Sequence, residues 1–501
     1  MSSIKSIMVG VVLFVIAILF LFPFLPPTLS AKESASVAIN ALNSTPETTL
    51  SGLVDPIGDK QAHPTVFGGQ ILPSAAITSV ITVGVEANLS WIRYDGTNDG
   101  VLWSNVEAEQ GVRDWDRLSL FEEEISRLSS AGFVPIVVVR STPSWAQKTP
   151  PYYCGPIRED ALDDFADFMR ELVERYSGPP YNVTYWEIWN EPDIDSLFAR
   201  PDSYFGCWGN ESDPYYGGGY YGEMLKHIYP AMKEANPNVQ IVIGGLNLDC
   251  DPSNPPAHQD CKAGKFLEGI LQNGGGDYFD IVAYHAYAFW STANVDWDLE
   301  HIYWKERGGA VLGKADFLRE VLAQFGYEKP LILTETSLLC YEFNPNCPSD
   351  EFFAGQANFL IRLYTRLSAN NILGATWFCL NYNAWRHSDL LGPNNTPKPA
   401  YEAIKFMASL LSGATYKGSL GTSTLEGYSF WNPETNLEYR VYWTNNEKTS
   451  ESLSLFPSTL TVYDKLGQEI TPSESGTIEI GFEPIIIEME TLKFYLPVLR
   501  Q

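Results

Sequence analysis

Two glutamates stand where strands should simply stop. The run Trp186-Glu187-Ile188-Trp189 is closed by Asn190-Glu191-Pro192, and Pro330-Leu331-Ile332-Leu333-Thr334 is closed by Glu335. Each run reads as a buried strand, and the proline after Glu191 ends the first one. A carboxylate is costly to bury unless it is paired or put to use. Two of them in matching contexts point to paired-carboxylate chemistry.

The elements that must position them follow from hydrophobic periodicity. Short apolar runs at 66–69, 91–94, 134–139, 184–189, 240–244, 281–284, 331–334 and 375–380 read as strands. Helical patterns lie between them, at 118–130, 160–176, 220–235, 262–272, 311–325, 353–369 and 401–411. Phe165, Phe168, Met169, Leu172 and Val173 have the spacing of one buried helix face. Eight strands alternating with helices predict a (β/α)8 TIM barrel over 64–411. The runner-up, an open doubly wound sheet, is weakened because no Gly-rich phosphate loop follows the first strand. In a barrel, functional groups sit at the C-terminal ends of strands, which places Glu191 after strand 4 and Glu335 after strand 7. Beyond Ser412 helical periodicity vanishes. Runs at 427–431, 439–443, 460–463, 476–480 and 485–488 alternate with turn residues, predicting a small antiparallel β-sandwich over 412–491 and a tail at 492–501.

The 501 residues carry 33 basic and 61 acidic side chains, a formal charge of −28. Such a chain repels polyanions, so nucleic acid is not an expected partner. Lys5 precedes an uncharged apolar run, 7–22, so residues 1–31 read as a signal peptide or an uncleaved membrane anchor. Residues 32–63, rich in Ser, Thr, Ala and Asn, read as a linker. The chain is therefore expected to be secreted or extracytoplasmic, with membrane contact only through that N-terminal segment. The seven cysteines support export. Their placement predicts disulfides Cys154–Cys207, Cys250–Cys261 and Cys340–Cys347, with Cys379 left over in a buried strand.

With both glutamates in place, the sequence resembles the retaining (β/α)8 glycosidases of glycoside hydrolase clan A, families 39 and 5 in particular. The resemblance covers the barrel. It rests on Trp-Glu-Ile-Trp-Asn-Glu-Pro at 186–192, Leu-Thr-Glu at 333–335, Arg93 in Trp-Ile-Arg, the segment 103–111, Asp114-Trp115, Thr142-Pro-Ser-Trp145, His285-Ala-Tyr287 and Lys398-Pro-Ala-Tyr401. It implies that Glu191 is the general acid/base and Glu335 the nucleophile. It further implies that Arg93 keeps Glu335 ionised, with an ion pair to Glu187 as the alternative, and that Asn190 bonds a sugar 2-hydroxyl. His285 would touch substrate or Glu191, Tyr287 would hydrogen-bond Glu335, and Trp377 would be the aromatic platform under the reacting sugar. The sequence departs from many family 5 members after strand 3, where Arg140-Ser141-Thr142 stands in place of a histidine. Trp145, Trp208 and Trp290, in long aromatic loops, are further candidates for sugar platforms.

The function expected is hydrolysis of β-linked glycans by double displacement, on an oligo- or polysaccharide, with no metal or organic cofactor. The alternatives are a non-catalytic carbohydrate-binding barrel, a transglycosylase, and a tethered scaffold whose β domain is the active part.

Overall fold

The computed structural model describes residues 64–72, 77–95, 100–203, 205–341, 343–381 and 383–491. The N-terminal segment 1–31, the linker 32–63 and the tail 492–501 lie outside the described residues. Among the described residues no helix is long and apolar enough to cross a membrane.

Eight parallel strands close a barrel: β1 (Phe67–Ile71), β2 (Trp91–Tyr94), β3 (Val134–Arg140), β4 (Tyr185–Ile188), β5 (Gln240–Leu246), β6 (Ile281–Phe289), β7 (Leu331–Leu339) and β8 (Ala375–Trp377). Each pairs with its neighbour in sequence, and β8 pairs back onto β1, with Gly69 opposite Trp377. A two-residue stub, Val101–Leu102, adds to β3. The helices that follow are α1 (Ile77–Glu86), α2 (Ser119–Ser130), α3 (Leu162–Tyr176), α4 (Gly218–Ala235), α5 (Phe266–Gln272), α6 (Ala310–Gln324), α7 (Asp350–Ala369) and α8 (Pro399–Leu411). In α3 the predicted apolar stripe is buried, and Asp163 and Asp164 in the first turn suit the positive end of the helix dipole. The Ser349 hydroxyl caps α7 by accepting from the Phe352 amide at 3.2 Å. Pro399 opens α8, where its missing N–H costs nothing.

The helix α1 was not expected. Its sequence, ITSVITVGVE, is β-branched and carries a glycine, so local preference argues against a helix. Packing decides otherwise: Ile77 and Val80 are buried, and the Tyr401 hydroxyl of α8 donates to the Val83 carbonyl.

The C-terminal strands are β9 (Thr415–Ser419), β10 (Leu425–Asn432), β11 (Leu437–Thr444), β12 (Glu451–Ser454), β13 (Thr459–Asp464), β14 (Thr477–Ile480) and β15 (Ile485–Glu490). Five form an antiparallel sheet in the order β9-β10-β11-β15-β13, and β12 pairs with β14. This is the expected sandwich. The strands β9 and β12 were missed because TYKGS and ESLS show no apolar alternation.

Barrel and sandwich pack into one compact unit. The loop after β6 runs along the sandwich: Val295 bridges to Asn446 and the Asp296 amide donates to the Asn445 carbonyl. Asp296 is buried and meets Arg362 at 3.2 Å and Arg366 at 2.6 Å, both from α7. Arg366 also reaches Glu426 of β10 at 2.5 Å, while Arg362 donates to the backbone carbonyls of Thr444 and Phe482. Burial works against ionising Asp296, but the two arginines override it and hold its carboxyl below the usual range. Arg366→Lys cannot bridge Asp296 and Glu426 together, because an ammonium is a point donor rather than a fork. We expect a loss of about 1–3 kcal/mol, read as a lower urea midpoint at unchanged slope.

The three cysteine pairs named from sequence are disulfide-bonded, and Cys379 is a buried free thiol. Cys379 lies just past the end of β8 rather than within it.

Candidate active site

The strand β4 ends at Ile188, so Trp189, Asn190 and Glu191 form the turn above it. Trp189 and Glu191 both take positive φ, +72° and +47°, which a side chain adopts only when its surroundings hold it there. The restraints are visible. The Glu191 amide donates to the Gly245 carbonyl and the Gly206 amide to the Asn190 carbonyl. The Trp189 indole donates to the Cys154 carbonyl at 2.8 Å and packs edge-on against Trp208. The Cys154–Cys207 disulfide ties the same two loops together.

Glu335 reaches the same place by another device. The strand β7 does not stop at Thr334 but runs on to Leu339. Its pairing with β6 shifts between Tyr284–Leu333 and His285–Glu335, a bulge at Thr334. A bulge re-aims the following side chain, here Glu335, into the mouth of the barrel. Beyond it β6 and β7 continue as a paired arm, as far as Phe289 opposite Leu339.

Arg93, fully buried on β2, links Glu335 to the turn that carries Glu191. Its Nη1 donates to Glu335 at 2.5 Å and to Gln70 at 2.8 Å, its Nε and Nη2 to Glu187 at 2.9 and 2.8 Å, and its Nη2 to Asn190 Oδ1 at 2.8 Å. Both contacts considered for Arg93 are present: one guanidinium meets Glu335 and Glu187. Burial disfavours its charge, yet Glu187 and Glu335 raise its pKa above the ordinary arginine value. Because Asn190 turns its oxygen to Arg93, its amide NH2 faces away from that contact.

The Tyr287 hydroxyl donates to Glu335 Oε2 at 2.5 Å. His285 Nδ1 stands 3.1 Å from Glu191 Oε1 and 3.5 Å from Glu335 Oε2. The strand periodicity that put His285 and Tyr287 on one face is thus what brings both to the carboxylates. His285 is buried, which lowers its pKa to about 4 and leaves it neutral near pH 7. One oxygen of Glu191, one of Glu335 and a His285 nitrogen all lie within 4.8 Å of one another. That set could also hold a metal ion, but Arg93 already places a cation on Glu335.

The two glutamates sit in different fields. Burial raises Glu191 to about 7, with Lys314 and Arg93 only partly opposing it. Burial also raises Glu335 above the ordinary carboxylate value, with the Arg93 charge and the Tyr287 hydroxyl only partly opposing it.

Trp377 is not open to a ligand. It is fully buried, donates to the Ser388 carbonyl at 2.7 Å and packs on Phe359 of α7, so it faces the helix layer. Phe378, the next residue, is half-buried and meets Tyr287 edge-on at 6.2 Å. A shift of one position on a strand moves a side chain to the other face. Trp208 and Trp290 are likewise buried, and Trp145 packs edge-on against Trp103 while donating to the Glu107 carbonyl. These indoles brace loops rather than present open platforms. The loop after β6 also spends its aromatic residues on packing, with Trp297 against Phe482.

Sequence reasoning missed three supports. Gln70 joins Glu187, already named as a partner, in the Arg93 network. Asp193 accepts the Asn247 and Leu248 amides at 2.9 and 2.8 Å, tying the turn after Glu191 to β5, and burial raises its pKa to about 7. Lys314 of α6, buried and lowered to about 8, donates to the Asn247 and His285 carbonyls. The available signal was a polar side chain inside an apolar run, at Gln70 in β1 and Lys314 in α6.

Gly245 shows how little slack remains. A Cβ there would stand 2.0 Å from His285 Nε2. Gly245→Ala must push the imidazole off the carboxylates. We expect about 1–3 kcal/mol of destabilisation and at least about a tenfold loss in kcat/KM, measured by thermal unfolding and steady-state kinetics.

No protein-family model and no curated protein matches the chain. Solved structures do. A family 39 glycoside hydrolase from the gut symbiont Bacteroides cellulosilyticus WH2 is similar at 19% identity and a TM-score of 0.64, over 85% of this chain and 81% of that one. A GH30 endoxylanase from Clostridium papyrosolvens C71 is similar at 11% identity and a TM-score of 0.55, over 85% and 96%. A family 51 α-L-arabinofuranosidase from Bifidobacterium longum is similar at 13% identity and 0.55, again over 85% and 96%. The chain thus has the closed (β/α)8 barrel of these glycoside hydrolases, the fold its resemblance to clan A implied.

Proposed function

We propose that the protein is an extracytoplasmic retaining glycosidase that cleaves β-linked glycans by double displacement. One observation carries this reading: two glutamates recessed in the barrel mouth, with oxygens within 4.8 Å, stand in unlike surroundings. Retaining enzymes use carboxyl groups about 5 Å apart, whereas inverting ones need about 6.5–9.5 Å to seat a water between them. Glu335, gripped by Arg93 and Tyr287, is suited to stay ionised and attack the anomeric carbon. Glu191, raised to about 7, is suited to carry a proton to the leaving oxygen. Once the glycosyl–enzyme forms, the charge on Glu335 is gone. The proton on Glu191 is then held less tightly, so its carboxylate can take one from water. The free NH2 of Asn190 is placed to meet the sugar 2-hydroxyl. Three disulfides fit an oxidising compartment outside the cytoplasm.

The barrel alone does not choose the anomer, since a family 51 α-L-arabinofuranosidase shares it. The test is a panel of aryl α- and β-glycosides with the first-formed product followed by NMR. Turnover of β-glycosides with the anomer retained is expected, and inversion would sink the mechanism. A pH profile adds a second check. The active form needs Glu191 protonated, and its pKa is about 7, so kcat/KM should fall as pH rises above that value, about tenfold per unit.

A further inference from the structure

Tryptophans in this protein are hidden, with one exception. Of the 14, only Trp385 is exposed, at 49%. It does not stand alone. Phe289 is 40% exposed, Tyr341 43% and Phe343 63%. Large exposed aromatic patches on a soluble protein mark a place where something binds.

These four rings form a path that begins at the reaction centre. Tyr287, which holds Glu335, meets Trp385 edge-on at 5.7 Å. The Arg386 guanidinium lies 5.0 Å from the Trp385 ring and 5.8 Å from Phe289. Phe289 meets Tyr341 at 5.7 Å, and Tyr341 meets Phe343 at 6.3 Å. His285, Tyr287 and Phe289 occupy alternate positions of β6, so one face of the β6–β7 arm leads outward from the carboxylates. The path is fixed in place. The Cys340 amide donates to the Arg386 carbonyl, Arg386 Nη1 donates to the Cys340 carbonyl, and the Cys340–Cys347 disulfide closes the loop that carries Tyr341 and Phe343. The Cys340–Cys347 loop, with the segment after β6 and the start of α7, also lines a cavity of about 490 Å³, bounded by Trp290, Thr292, Asn294, Asn346, Ser349 and Glu351 among others.

We propose that Trp385, Phe289, Tyr341 and Phe343 form a binding strip for consecutive sugar units of a polysaccharide chain, running from the reaction centre to the Cys340–Cys347 loop. This rests on the glycosidase reading above. Flat rings take the C–H faces of sugars, and the hydroxyls, amides and carboxylate of the cavity take their hydroxyl edges. A strip held by a disulfide and by hydrogen bonds between two loops is ordered before the ligand arrives, so little entropy is lost on binding. The substrate is then a polymer gripped over several units, rather than a short glycoside held only at the carboxylates.

The experiment is affinity electrophoresis of the Glu335→Gln protein in gels containing xylan, xyloglucan, mixed-linkage β-glucan or arabinan. Retardation in at least one gel is expected. The further change Tyr341→Ala with Phe343→Ala should weaken it about tenfold. Tyr341→Phe with Phe343→Tyr should restore it, and Ile302→Ala, an exposed residue elsewhere, should leave it unchanged. Thermal unfolding of each variant checks that the fold is intact. Retardation in none of the four gels, or equal retardation of the double alanine variant, overturns the strip. If the wild type nevertheless hydrolyses aryl glycosides, the glycosidase reading survives that failure. Aromatic-dependent retardation together with a wild type that hydrolyses nothing would keep the strip and remove the glycosidase reading.

Discussion

Glu335→Gln should lower turnover of an activated aryl glycoside by at least about four orders of magnitude, with the fold intact. The amide cannot attack the anomeric carbon, and the neighbouring carboxylates are held elsewhere: Glu187 is fully buried on Arg93, and Asp95 is bonded to Arg140. Glu191→Gln should behave differently. With a good leaving group little protonation is needed, so the loss should be modest for the first step and larger for the second, where the carboxylate activates water. The fall in kcat/KM above about pH 7 should vanish in this variant. Steady-state kinetics across pH, on substrates of graded leaving-group ability, measures both. Near wild-type rates in both variants would remove these glutamates from the mechanism.

Arg93→Met should be the most destabilising of these single changes. Arg93 is the counter-ion for Glu187 and Glu335, one fully buried and the other nearly so. Removing one partner of a buried ion cluster costs about 3–5 kcal/mol, because the charges left behind are uncompensated. The carboxyls would answer by holding protons. For Glu335 that means loss of the nucleophilic form, so activity should fall with stability. The two effects can be separated. Arg93→Met with Glu187→Gln leaves only one uncompensated carboxylate, so much of the stability should return in denaturant melts. Activity should not return, since Glu335 still lacks its guanidinium.

The barrel was legible because its strands are near-continuous apolar runs and its helices carry clean stripes, as in α3. The glutamate pair was legible because a carboxylate at a strand end has no packing reason to be there. What stayed hidden depended on register or on tertiary contact. Trp377 was expected in the barrel mouth, but its facing depends on how β8 ends, and it lies against Phe359 of α7. The bulge at Thr334 extends β7 past the point where the apolar run stops, so Glu335 read as a terminus when it is a mid-strand residue. Lys314 and Asp193 looked like ordinary helix and loop charges; only the folded chain brings them to the end of β5. The helix α1 was hidden because its β-branched residues prefer strand, and burial against α8 outweighs that preference.

The ion cluster of Asp296, Arg362 and Arg366 bears on the order in which the protein is made. During synthesis β8 completes the barrel at Trp377. The loop that follows β6 still lacks its bed at that point, because Asn445, Thr444 and Phe482 have not yet emerged. Until they do, two arginines and an aspartate meant for a dry interface stand in water. That loop can therefore be seated only once the sandwich strands have been made.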